Sequence, residues 1–168
     1  MNMSTEISEV RFLMEDGSEI PAEVVLRDKD LDMVFVRPKE KQEKVFGFVD
    51  LGNYEKPEIL EQLVRLNRLG KVSGRAYAAS LTRVEAVVER PRTYFVPENA
   101  QNDLTHLGTP SFTLDGKVVG VTFLRLIKSG GGGGGMGGMM GGLQDVLTTV
   151  ILPATDIADS AAQVPPYE

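Results

Sequence analysis

His106 is the one histidine in this chain of 168 residues, and the chain has no cysteine. Thiol chemistry is therefore excluded, and any imidazole base must be this one ring. The polar sequence neighbours of that imidazole are Asp103, Thr105 and Ser111. An aspartate three residues before a histidine can orient and tune the ring, but hydrolysis also needs a nucleophile or a metal. Without cysteine there is no thiol catalysis, no cysteine-ligated zinc and no disulfide stapling. No HExxH motif or clustered ligand spacing points to zinc, and the acidic run Asp28–Asp32, DKDLD, lacks the glycine and distal glutamate of an EF-hand. No metal and no cofactor is expected.

The rest of the composition narrows the function classes. A formal net charge of -6, with charges alternating in sign along most of the chain, argues against nucleic acid. Arg65, Arg68, Lys71 and Arg75 form only a loose local patch of positive charge. A hydrophobic content of 42% suffices for a core. No segment approaches the roughly 20 apolar residues needed to span a bilayer, and there is no amphipathic basic helix for a membrane surface. The first ten residues, MNMSTEISEV, have neither a basic region nor an apolar run, so no signal peptide is expected. As it stands the sequence reads as cytoplasmic, and as extracytoplasmic if residues are missing upstream.

The elements that must position any site are short strands. Residues 9–14 and 19–27 flank Asp16-Gly17, and SFTL and KVVGVTFLRLI flank Asp115-Gly116. An Asp-Gly pair between β-prone runs predicts a hairpin. MVFVR (33–37), Phe46–Val49, TYFVP (93–97) and residues 146–152 predict further strands, and residues 78–90 carry a partly alternating run. Residues 57–67 are ambiguous: their spacing fits a helix, and a helical turn near 57–61 passing into a strand near 62–67 is favoured. Tyr94, Phe95 and Phe112 are expected to fill a barrel. Residues 130–142 hold ten glycines and three methionines, a composition that predicts a flexible loop. It lacks the Gly-Lys-Ser/Thr ending of a phosphate-binding loop. Residues 155–168 are expected to form a short helical turn leading into a flexible, proline-containing tail. The pattern as a whole predicts an all-β barrel or sandwich.

Two stretches carry a family resemblance. DGSEIPAEVVLRDKDLDMVFV and the run from Thr105 to Val121, THLGTPSFTLDGKVVGV, resemble the trypsin-like (chymotrypsin-fold) serine proteases, in particular the HtrA/Deg-like branch. The resemblance covers roughly residues 9–127, together with ILPA at 151–154. It implies a chymotrypsin-like double β-barrel with an incomplete N-terminal barrel (1–56), a C-terminal barrel (57–154) containing the glycine-rich loop, and the flexible tail (155–168). The family's catalytic aspartate falls on Asp32. Counting back from Pro110 places Thr109 and Gly108 at the two glycines after the nucleophile, Leu107 at the nucleophile, and His106 and Thr105 at the two positions before it. No histidine stands where the family's base would lie. Leucine cannot attack a carbonyl, and Ser111 is followed by Phe112 rather than by glycines, so it is rejected as a nucleophile.

The resemblance thus implies a catalytically inactive protease homologue that binds a peptide or protein, with His106, Gly108, Thr109 and Pro110 lining the former cleft and Asp32 a relic. Open strand edges would invite β-augmentation by a peptide or a second subunit, and homo-oligomers are an implied association. The alternatives are a serine endopeptidase represented by an incomplete chain and a structural β-barrel scaffold.

Overall fold

The computed structural model describes residues 9–43, 46–101, 103–128 and 145–167. The glycine run 130–142 lies outside the described residues. The chain divides into two compact units, a sheet unit of residues 1–48 with 158–168 and a barrel unit of residues 49–157. Among the described residues no helix is long and apolar enough to cross a membrane.

The sheet unit is a three-stranded antiparallel sheet, β1 (Val10–Leu13), β2 (Glu19–Asp28) and β3 (Met33–Pro38), in that order. The first Asp-Gly pair makes the β1–β2 turn. Gly17 takes φ 86°, a left-handed conformation in which a Cβ would be strained, and the Asp16 carboxylate accepts from both the amide and the hydroxyl of Ser18. The acidic loop between β2 and β3 is organised by Asp28: its Oδ1 accepts from the amides of Asp30 and Leu31 at 3.0 and 2.9 Å, so that Leu31 is buried.

Two expectations are corrected here. The short helical turn expected in the C-terminal segment is a longer helix. Ala154–Ala161 form the helix α1, and the Ser160 hydroxyl donates to Asp28 Oδ2 at 2.6 Å. Beyond the helix, the Arg37 guanidinium donates to the carbonyls of Pro165 and Pro166 and lies 4.4 Å from the centre of the Tyr167 ring. Prolines lack an N–H but keep a good acceptor carbonyl, and Arg37 uses two of them. Phe46–Val49 is not a strand either. It falls at the join of the two units, with Phe48 exposed and Phe46 facing Phe12 across 6.2 Å.

The barrel unit is a closed six-stranded barrel. Its strands are β4 (Gln62–Arg68), β5 (Tyr77–Val88), β6 (Tyr94–Pro97), β7 (Pro110–Thr113), β8 (Val118–Lys128) and β9 (Asp145–Pro153), in the order β4-β5-β6-β9-β8-β7 with β7 returning to β4. The ambiguous segment resolves as a turn at 59–60 followed by a strand, without a helix. Ile59 and Leu60, in the turn, are exposed, and within the strand parity buries Leu63 and exposes Leu66. Tertiary pairing with β5 and β7 outweighs the helical spacing. Leu63, Val84, Phe95, Val119 and Ile151 form the core. The second Asp-Gly turn joins β7 to β8, with Gly116 at φ 87°. Residues 53–57 run beside β8, bonded to both the amide and the carbonyl of Val118.

Strand β5 is longer than its partners. Val84 directs its amide and carbonyl to Glu61 and Leu60, and alternation carries that orientation to Thr82, Ser80 and Ala78. The amides and carbonyls of Leu81, Ala79 and Tyr77 therefore point away from β4. Strand β6 pairs β5 only from Val84 onward, so this outer edge has no strand partner among the described residues.

Candidate functional site

The site grows from the segment that follows β6. Residues 98–101 and 103–109 are fastened to four strands in turn. The Glu98 amide donates to the Arg83 carbonyl of β5, and the Ala100 carbonyl accepts from the amide and hydroxyl of Thr149 on β9. Asp103 pairs with Arg65 of β4, and the Gly108 amide donates to the Thr122 carbonyl of β8 at 2.8 Å.

This lacing brings His106 to Ser80. The Asp103 Oδ1 atom accepts from His106 Nδ1 at 2.6 Å and from the Thr105 hydroxyl at 2.9 Å, while Asp103 Oδ2 accepts from Arg65 Nη1. A proton held on Nδ1 by the carboxylate leaves Nε2 as an acceptor, and Ser80 Oγ lies 3.0 Å from Nε2. The result is a continuous chain from a serine hydroxyl through an imidazole and a carboxylate to a guanidinium. Arg65 is only 5% exposed, and the side chains of Asp103 and His106 are largely buried.

Burial pushes the Asp103 carboxyl up, but hydrogen bonds from His106, Arg65 and Thr105 outweigh it and hold the group below the ordinary carboxylate value. The sign follows from linkage. A carboxyl depressed in the folded state contributes stability above its unfolded pKa, and that contribution is lost as pH falls through the lower folded value. Acid unfolding of the protein should therefore steepen below about pH 4, and Asp103→Asn should flatten that part of a stability-against-pH curve. An unchanged curve would remove this role.

The residues singled out in the sequence are placed as follows. Asp32 is exposed at the end of the β2–β3 loop, with φ 57°, in the sheet unit. His106, Leu107, Gly108, Thr109 and Pro110 are in the barrel unit. Leu107 is 42% exposed. Gly108 takes φ 74°. Thr109 donates both its amide, at 3.1 Å, and its hydroxyl, at 2.6 Å, to the His106 carbonyl. Pro110 opens β7 opposite Val121. Among the described residues no group of three or more histidine, aspartate or glutamate side chains is gathered to hold a metal.

Ser80 and Arg65 were invisible from the sequence. Arg65 counts there as one member of a loose local patch of positive charge, and it is buried. The signal available was parity: once residues 62–68 form a strand with Leu63 inward, Arg65 is inward too. On β5 the same parity turns Ser80, Thr82 and Val84 inward, and leaves Tyr77 and Leu81 72% and 60% exposed.

The structure is mostly β, a closed six-stranded barrel plus a three-stranded sheet, and its fold is similar to that of a trypsin-like protease domain. It is similar to the crystal structure of the MamO protease domain from Magnetospirillum magneticum in its apo form. The TM-score is 0.59 at 14% sequence identity, over 89% of this chain and 72% of that one. The likeness is one of fold. No family model and no curated protein matches the sequence.

Proposed function

We propose that this protein is a trypsin-fold homologue, of HtrA/Deg-like descent, that binds extended polypeptide without cleaving it. The observation that carries the binding role is the outer edge of β5. Tyr77, Ala79 and Leu81 present amides and carbonyls with no strand partner among the described residues, beside exposed apolar side chains of Tyr77, Leu81 and Leu66. An extended chain added there would gain main-chain hydrogen bonds and apolar contacts together.

The absence of cleavage rests on the position to which the resemblance assigns the nucleophile. Leu107 has no attacking group.

The test is binding of a permanently unfolded chain, reduced and carboxymethylated α-lactalbumin, followed by fluorescence anisotropy and by gel for cleavage. Saturable binding with an intact ligand is expected. Ala79→Pro should weaken it at least about tenfold, since it deletes an outward amide without removing a bond to β4, while Ala79→Val should not. Absence of binding, or equal binding by Ala79→Pro, would overturn the reading.

A further inference from the structure

Four buried side-chain atoms in the barrel unit have no hydrogen-bond partner among the described residues: Arg65 Nε, Thr82 Oγ1, Ser111 Oγ and Thr122 Oγ1. Unmade bonds of this kind are costly, and a native fold seldom keeps several close together without use. Two of them flank the serine–histidine chain. Arg65 lies directly opposite Ser80 on β5 and directly opposite Ser111 on β7, and directly paired residues share a face of the sheet with Cβ atoms about 5 Å apart. Ser80, Arg65 and Ser111 thus form an inward-facing polar row across three strands, with His106 bonded to Ser80 and Asp103 to Arg65.

We propose that Ser80 is a nucleophile, displaced from the position the family uses, that accepts acyl groups from small carboxylic esters. His106 Nε2 takes the proton of Ser80 Oγ as the oxygen attacks the ester carbonyl carbon, and Asp103 holds the ring in the required tautomer. The negative charge that develops on the carbonyl oxygen is met by the positive charge of Arg65, which is paired opposite Ser80. The carbon–oxygen bond to the alcohol then breaks, and the leaving oxygen takes the proton from His106. Water, deprotonated by the same nitrogen, attacks the acyl-serine, releases the carboxylic acid and returns the proton to Ser80.

Esters suit the site better than peptides. Their carbonyl is more electrophilic and their leaving group needs less help than an amine. Their small size matches a Ser80 and a His106 that are partly exposed rather than open along a cleft. Leu104 and Leu107, exposed on either side of His106, offer apolar surface to the acyl chain. The proposal is independent of polypeptide binding at the β5 edge, which uses the opposite face and the backbone of Tyr77, Ala79 and Leu81.

The experiment treats the full chain with a fluorophosphonate probe, locates the adduct by peptide mass, and measures turnover of 4-nitrophenyl acetate. The expected result is one adduct, on Ser80, formed at least about 10²-fold faster in the native protein than in urea. His106→Gln should reduce both rates by about 10² or more, and Asp103→Asn should slow turnover at least about tenfold with Ser80 still labelled. The comparison of native with unfolded wild-type protein stands even if His106→Gln does not fold. Absence of an adduct, an adduct on another residue, equal labelling in urea, or wild-type rates in a folded His106→Gln variant would each overturn the proposal.

Discussion

Gly120→Ala is expected to disrupt the barrel, destabilising it by about 3 kcal/mol or more. A Cβ at Gly120 would lie 1.9 Å from the Leu152 carbonyl oxygen and 2.8 Å from its carbon. Both are backbone atoms of β9, and they cannot swing away as a side chain could. Strands β8 and β9 are paired continuously from Gly120–Pro153 to Lys128–Asp145, so relief by separating them would sacrifice neighbouring ladder bonds. Gly17→Ala is the informative control. Its φ of 86° carries a conformational penalty of about 1 kcal/mol, but the added methyl would meet nothing within 4 Å. Denaturant titration of the two variants should separate them clearly. Equal midpoints would contradict the close β8–β9 approach.

Arg65→Met should be nearly as damaging, with a loss of about 3–5 kcal/mol. The substitution leaves the Asp103 carboxylate largely buried without its guanidinium partner, while keeping the bulk of the side chain. The side chains of Arg65 and Asp103 are 6% and 14% exposed, so little water is available to replace the lost pairing. Removing both charges in an Arg65→Met, Asp103→Leu double variant should recover much of the loss, because two apolar groups no longer require compensation. A thermal-melt cycle over the four proteins checks this. If the single substitution changes the melting temperature by less than one or two degrees, the pair does not hold the 98–109 segment to β4.

The two hairpins were legible because their signals are local. Asp16-Gly17 and Asp115-Gly116 require left-handed glycines, and both take them. The strand periods around them follow from alternation and lead as far as an all-β barrel or sandwich; the trypsin-like architecture is what the family resemblance implies. Residues 57–67 were ambiguous because the choice between helix and strand there depends on β5 and β7, which are distant in sequence. Gly120 stood in the KVVGV run, but its reason, the carbonyl of Leu152 against its Cα, is a tertiary fact. The terminal helix reads from the sequence only as a short turn, because the residues bonded to this segment, Asp28 and Arg37, are more than a hundred residues away.

The candidate site divides in the same way. His106 and Asp103 could be paired from their spacing, and the pair forms. The serine facing that imidazole comes from another strand, 26 residues earlier, and nothing local marks Ser80 among the serines and threonines of the chain. Its place follows only from the register of β5 against β4. Register is also what separates the two faces of β5, one carrying Ser80 into the barrel and the other exposing Tyr77 and Leu81.

Amide hydrogen exchange along β5, with and without saturating carboxymethylated lactalbumin, tests the binding role most directly. In the free protein the amides of Tyr77, Ala79 and Leu81 should exchange fast and those of Ala78, Ser80 and Thr82 slowly, since only the latter face β4. On binding, the first three should become protected while the ligand stays intact. Protection confined to other segments, or fast exchange at those three amides in the saturated complex, would contradict it.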